Sequence, residues 1–173
     1  MAPSLLTVGN MDSDTRKRVL RSLSNGMYVI TGQSSAGFGA ATVTWLTQTS
    51  FEPPLLVAGV RPASGLFACL TPGSPAVVHV VGKGQEGLAK RFFSRPEVDT
   101  EATPPTIAGL PFSLSGAGLP ILDDCDAYAE CTVSEIIDHG GDHELVVLEV
   151  VDVTSRDELV PLTVRASPWE YGG

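Results

Sequence analysis

The stretch Thr42-Val-Thr-Trp-Leu-Thr-Gln-Thr-Ser-Phe-Glu-Pro-Pro54, followed one apolar run later by Arg61-Pro-Ala-Ser64, decides how the chain is organised. A strand ends there, hydroxyl side chains crowd into what reads as a loop, and two prolines set the entry to Leu55-Leu-Val-Ala-Gly-Val60. Arg61 offers a rigid fork of donors suited to a phosphate. Ser64 is a good N-cap for the short helical run Gly65-Leu-Phe-Ala-Cys-Leu70, and the open N–H groups of a helix start favour an anion. Thr47, Thr49 and Ser50 would complete the cradle of an anion-bearing ligand. The same residues also fit a strand, a Pro-Pro loop and an ordinary capped turn with a solvated Arg61, because capped turns are far commoner than phosphate sites.

Toward the N-terminus, Asp14 to Leu23 predicts an amphipathic helix with Val19, Leu20 and Leu23 on one face and Gly26 as its stop. Met27–Thr31 and Gly39–Trp45 read as two strands joined at Ser34-Ser-Ala-Gly37. Toward the C-terminus, Leu55–Val60 and Ala76–Val81 are β-branched and nearly continuous in apolar character. Gln85–Phe93 reads as a helix with Leu88, Phe92 and Ala89 inward, and Arg95–Leu119 is so rich in Pro, Gly and Ser that only elements of a few residues fit. Ala127–Ser134 alternates as a half-buried strand, and Asp138-His-Gly-Gly-Asp142 turns the chain into His143–Val153. Six strands with short antiparallel links predict a mainly β protein with a closed barrel.

The chain has 173 residues, 43% of them hydrophobic, enough to bury the core of one domain. No repeat or linker divides it, so residues 1–173 read as a single domain with 1–12 as an N-terminal extension. A net charge of −9 argues against binding nucleic acid or an anionic membrane surface. Cys69, Cys125 and Cys131 form no CxxC pair, and reduced thiols in a cytoplasmic protein are the simplest reading. The N-terminus lacks the pattern of a signal peptide, and no run approaches a membrane span.

Gly82-Lys-Gly-Gln-Glu-Gly87 matches G-x-G-x-x-G after a strand and before a helix, yet Pro-rich loop stands where a dinucleotide fold needs its second strand and acidic residue. His139 and His143 flank a Gly-Gly turn and share no helical face, so no metal pair is expected. Asp123-Asp124-Cys125-Asp126 lacks the glycine and terminal glutamate of a calcium loop. His79, in mid-strand, reads as core.

Ser24-Asn-Gly-Met-Tyr-Val-Ile-Thr31, Trp45-Leu-Thr-Gln-Thr-Ser-Phe-Glu-Pro-Pro54, Arg61-Pro-Ala-Ser64, Gln85 with Leu88, Ala89 and Phe92, and Gly141-Asp-His143 together resemble the flavin reductase-like family of FMN-binding split barrels, from about Arg16 to Tyr171. The resemblance implies a six-stranded antiparallel Greek-key split β-barrel with a few short helices. It implies FMN, or FAD in its place, with the phosphate on Arg61, Ser64, Thr47, Thr49 and Ser50, and the ring against the backbone of Thr44, Trp45 and Leu46. Gly82 and Lys83 would lie beside the flavin, and His143 would help place the hydride donor or a proton. NADH or NADPH would be the reductant. A homodimer is implied, with a monooxygenase or another electron acceptor as partner. Two departures stand out: Leu148-Glu149 where Gly-Glu is frequent, and a bulky Trp45 where many free-flavin reductases carry a small residue, which favours tightly held FMN. The alternatives are an FMN electron carrier that does not react with pyridine nucleotides, and a split barrel for another phosphorylated or haem-like ligand.

Overall fold

A computed structural model describes residues 11–156 and 158–172. Strands Tyr28–Ser34 (β1) and Gly37–Val43 (β2) form the first hairpin, its turn closed by Gly37 at φ +109°. That backbone conformation is open to glycine and strained for other residues. Leu46–Phe51 (β3) and Pro54–Val60 (β4) form a second hairpin, and Pro75–Val80 (β5) follows. A short helix, Glu86–Lys90 (α2), leads into Val98–Asp99 (β6), Thr106–Ile107 (β7), Leu110–Leu114 (β8) and Pro120–Leu122 (β9). The long pair Ala127–Ile137 (β10) and Glu144–Ser155 (β11) completes the strands.

The main sheet is seven-stranded in the order β2-β1-β5-β10-β11-β4-β3, all pairs antiparallel. Its edge strands β2 and β3 are consecutive in the chain and do not pair, which leaves the barrel split beside Thr44 and Trp45. The sheet therefore has one strand more than the six expected, because the hydroxyl-rich run read as a loop is β3. Register explains the misreading: Thr47 pairs Val57 and Ser50 pairs Leu55, with an irregularity between Gln48 and Ser50. A polar, bulged strand capped by prolines is how a sheet edge avoids further pairing.

Val29 and Ile30 point to opposite faces of β1 and both are fully buried. Ile30 packs inside the barrel with Val43, Val60, Val78 and Val146. Val29 packs outside it, under α2 and the β6-β7-β8-β9 sheet, with Leu88, Phe92, Phe112 and Leu122. This double coverage accounts for the continuous apolar run of β5, whose Val77 and Val78 are both buried. Leu88, Ala89 and Phe92 are buried as expected, and residues Arg95–Leu119 hold only the short strands β6, β7 and β8, which with β9 form a four-stranded sheet.

Two polar side chains tie that small sheet to the barrel. Thr31 Oγ1 donates to the Pro120 carbonyl (2.8 Å). His79, fully buried, accepts the Leu122 N–H at Nε2 (3.1 Å) and donates from Nδ1 to the Val29 carbonyl (3.0 Å). A carbonyl can only accept, so the neutral Nδ1–H tautomer is assigned.

The first helix, Ser13–Leu20 (α1), is capped by Asp12, whose carboxylate accepts the Thr15 N–H (2.7 Å). Val19, Leu20 and Leu23, expected to share one face, are all exposed, and the expected stop is corrected: the helix ends well before Gly26, which instead bridges to Thr163. Of the proposed extension 1–12, residues 1–10 lie outside the described residues.

Candidate functional site

A cavity of about 450 Å³ opens at the split, within the size range of small-molecule sites. Its inner wall is apolar, from Met27, Val43, Val60 and Phe92. The end of β2 is held against the α2 region by backbone and side chain, since Thr42 donates from N–H to the Phe92 carbonyl (3.1 Å) and from Oγ1 to the Ala89 carbonyl (2.7 Å).

Thr44, the next residue but one, is buried and lines the cavity, and its Oγ1 has no hydrogen-bond partner among the described residues. A buried orphan hydroxyl costs about 1–3 kcal/mol. Such an atom on a cavity wall fits a site that expects a polar ligand.

Trp45 and His143 flank Gly59, with ring centroids 4.5 Å apart and planes inclined at 53°. A Cβ at Gly59 would lie in ordinary contact with both side chains, at 3.4 Å from Trp45 and 3.9 Å from His143. His143 Nδ1 lies 2.8 Å from Asp142 Oδ1, a bond that holds the Asp142 carboxyl below its ordinary range. With Nδ1 so engaged, Nε2 is the nitrogen left for a ligand.

At the mouth, Arg61-Pro-Ala-Ser64 forms a turn closed by the Ser64 N–H on the Arg61 carbonyl (3.0 Å). Ser64 Oγ accepts the Phe67 N–H (3.1 Å), the capping bond expected of it, although the helix that follows is only the three-residue 3₁₀ turn Phe67–Cys69. Having accepted, the Ser64 hydroxyl still has a proton to donate. The Arg61 guanidinium makes no hydrogen bond or close ion pair with a described residue, although its charge helps to lower the Asp142 carboxyl.

The structure thus brings together Thr44, Trp45, Arg61, Ser64 and His143 around one cavity. Leu46, Thr47, Thr49 and Ser50 do not line it. Thr47 pairs with Val57, four residues before Arg61, which places it roughly 13 Å away at about 3.3 Å per residue. Ser50 is farther still, opposite Leu55. Thr47 and Leu46 border a separate cavity of about 710 Å³.

Gly82 and Lys83 also lie away from the site. The Gly82 N–H already donates to Gln85 Oε1 (2.8 Å), and the Lys83 N–H donates to the Val160 carbonyl (2.8 Å). The glycine motif is a turn closed by its own glutamine. No cluster of metal-ligating side chains occurs among the described residues. Burial pushes the Cys125 and Cys131 thiols up to about 12, which keeps both unreactive.

Sequence reading did not assign the outer wall. Val164, Ser167, Trp169, Glu170 and Tyr171 close the cavity from the C-terminal segment. Trp169 packs edge-on against Phe93 (4.8 Å) and Tyr171 against Trp45 (5.9 Å). Arg21 fastens the segment through Glu170 (2.7 Å) and the Gly172 carbonyl (2.9 Å). The sequence signal there was the pair of aromatics Trp169 and Tyr171.

Comparison with known proteins places this geometry. The chain is 30% identical over 154 residues to diflavin flavoprotein A 1 of Synechocystis sp., a match covering 87% of this chain and 26% of that protein. This chain therefore spans about a quarter of that relative's length. The crystal structure of nitrilotriacetate monooxygenase component B from Mycobacterium thermoresistibile superposes with a TM-score of 0.68 at 27% identity, over 82% of this chain and 75% of that one. The NADH:FAD oxidoreductase SgcE6 of Streptomyces globisporus, solved in complex with NAD and FAD fragments, also gives 0.68 at 27% identity, over 83% and 82% of the two chains. The flavin reductase like domain matches residues 20–167, nearly the whole of the chain from α1 to the C-terminal wall, and the protein belongs to that family.

Proposed function

We propose that residues 1–173 act as one flavin-binding domain, an NAD(P)H-dependent flavin reductase that binds FMN and passes reduced flavin or electrons to a partner such as a monooxygenase. The observation that carries this reading is the orphan Thr44 Oγ1 on the wall of an apolar cavity whose mouth holds Arg61 and Ser64. A flavin has the matching parts: a flat apolar ring with a polar edge, and an anionic tail. The NAD and FAD fragments bound in the SgcE6 structure support the pairing of flavin with nicotinamide, and the monooxygenase component among the similar structures supports the partner class.

In this reading Arg61 and the Ser64 hydroxyl bind the phosphate, and Thr44 Oγ1 bonds the edge of the ring. Val43, Val60 and Phe92 exclude water from one face. His143, its Nδ1 proton held by Asp142, exchanges a proton at Nε2 and borders the place for the nicotinamide. Bound flavin would supply the hydride and electron chemistry itself, which explains a site without a side-chain nucleophile.

Further parts of the reading are a cytoplasmic location and a homodimer. Among the described residues no helix is long and apolar enough to cross a membrane. Phe51, Val151 and Val153 expose apolar surface that a second copy would cover.

The test is the visible spectrum of protein mixed with FMN, followed anaerobically on adding NADH and then NADPH. Flavin bands that bleach within seconds support the reductase. A second reading, an FMN electron carrier reduced only by protein partners, is favoured by the aromatic closure of Trp45 and Tyr171 over the cavity. Bound flavin that stays yellow with both nucleotides would select it, and failure to bind flavin would overturn both.

Thr44→Val separates ligand binding from folding. Removing a buried, unpaired hydroxyl should stabilise the ligand-free protein by about 1 kcal/mol while weakening FMN binding by about the same amount. Thermal melting of the free protein and an FMN titration read the two signs; a variant less stable without ligand would show that the hydroxyl has another partner.

A further inference from the structure

The flavin reading leaves one cation beside the Arg61–Ser64 turn unused. Arg95 follows α2 by five residues and lies two beyond Phe93, which lines the cavity and is fixed by Trp169. Its side chain crosses Gly65, the residue after Ser64: a Cβ built there would lie 3.5 Å from Arg95 Cγ, 3.6 Å from Cδ and 3.8 Å from Nε. The guanidinium stem is thus laid over the same turn that carries Arg61 and Ser64.

Neither arginine's guanidinium forms a hydrogen bond or a close ion pair with a described residue, in a chain with 20 acidic and 11 basic side chains. By contrast, Arg21 is paired with Glu170, and Arg91 and Arg156 donate to backbone carbonyls. The exposed Asp142 carboxylate is the acidic group that feels the Arg61 charge, and an anion bound at the turn would be attracted by both guanidinium groups.

We propose that Arg95 is a second phosphate-binding residue of this site, acting with Arg61 and Ser64 as a clamp on the phosphate monoester of FMN. The proposal rests on the flavin reading above and assigns its anion. A monoester phosphate carries nearly two negative charges at neutral pH, which suits two guanidinium forks. A dinucleotide's pyrophosphate offers the same chemistry from a different source, so the two must be told apart by experiment.

The experiment measures Kd for FMN and for riboflavin, which lacks the phosphate, with the parent protein, Arg95→Ala and Arg95→Lys, together with the KM for NADH. Arg95 is exposed, so these variants should fold normally. In Arg95→Ala the FMN Kd should rise about tenfold or more with riboflavin unchanged, and Arg95→Lys should recover part of the loss. An FMN Kd that does not move, or FMN and riboflavin weakened alike, would overturn the clamp. A higher KM for NADH with unchanged FMN affinity would also overturn it, by transferring Arg95 to the nucleotide. A parent protein that binds no FMN would sink the flavin reading itself, whereas a parent that binds FMN beside an unaffected Arg95→Ala sinks only this proposal.

Discussion

Lowering the pH from 6.5 to about 4 should remove about 3 kcal/mol of folding stability through His79 alone. Burial is the main cause: it pushes the imidazole down from 6.5 to about 4, against a smaller opposing effect of the Val29 hydrogen bond. The folded value is the depressed one, so the unfolded chain takes up a proton first as the pH falls. Stability from this group is fully present above pH 6.5 and declines down to about 4, below which both states are protonated. The local reason is geometric. Nε2 accepts the Leu122 N–H, and a proton there would leave two donors facing each other inside the contact between β5 and β9. Urea midpoints for the parent and for His79→Gln at several pH values test the prediction. Gln can mimic one of the two bonds, so the variant should be less stable at pH 7 but lose less on acidification. Parallel pH dependence in the two proteins would remove His79 from the account.

Arg61→Ala should weaken FMN binding by about 1.5 to 3 kcal/mol, the range for a hydrogen bond to a charged group. In Kd this is about 10- to 150-fold. Arg61 is exposed and bonds to no described residue through its side chain, so folding should change little and riboflavin affinity should stay near that of the parent. The interaction lies at the cavity mouth within reach of solvent ions, so the difference between parent and variant should shrink as salt is raised. Equal FMN affinity in the two proteins would refute the phosphate assignment and leave Thr44 as the polar anchor of the site.

How much of this was legible beforehand follows from the range of the interactions involved. The Arg61–Ser64 turn, the capping bond of Ser64 and the inward face of Leu88, Ala89 and Phe92 each depend on residues within a few positions, and local patterns display them. The apolar run of β5 announced a strand buried on both faces. Placing Thr47, Thr49 and Ser50 near Arg61 failed because a polar run at a sheet edge and a polar loop have the same composition, and only pairing with β4 tells them apart. The apolar stripe read on α1 is exposed for a related reason: periodicity says which residues share a stripe, but not whether anything packs on it.

What the sequence determined alone is therefore the strand material, the turn chemistry and the family pattern, all governed by local sterics and alternation. Tertiary structure decided the rest. It split the barrel between β2 and β3, buried the Thr44 hydroxyl without a partner, laid Arg95 across Gly65 and drew Trp169 and Tyr171 over the cavity. Each of these joins atoms from segments far apart in the chain, and the free energy of such contacts depends on which surfaces the whole fold brings together.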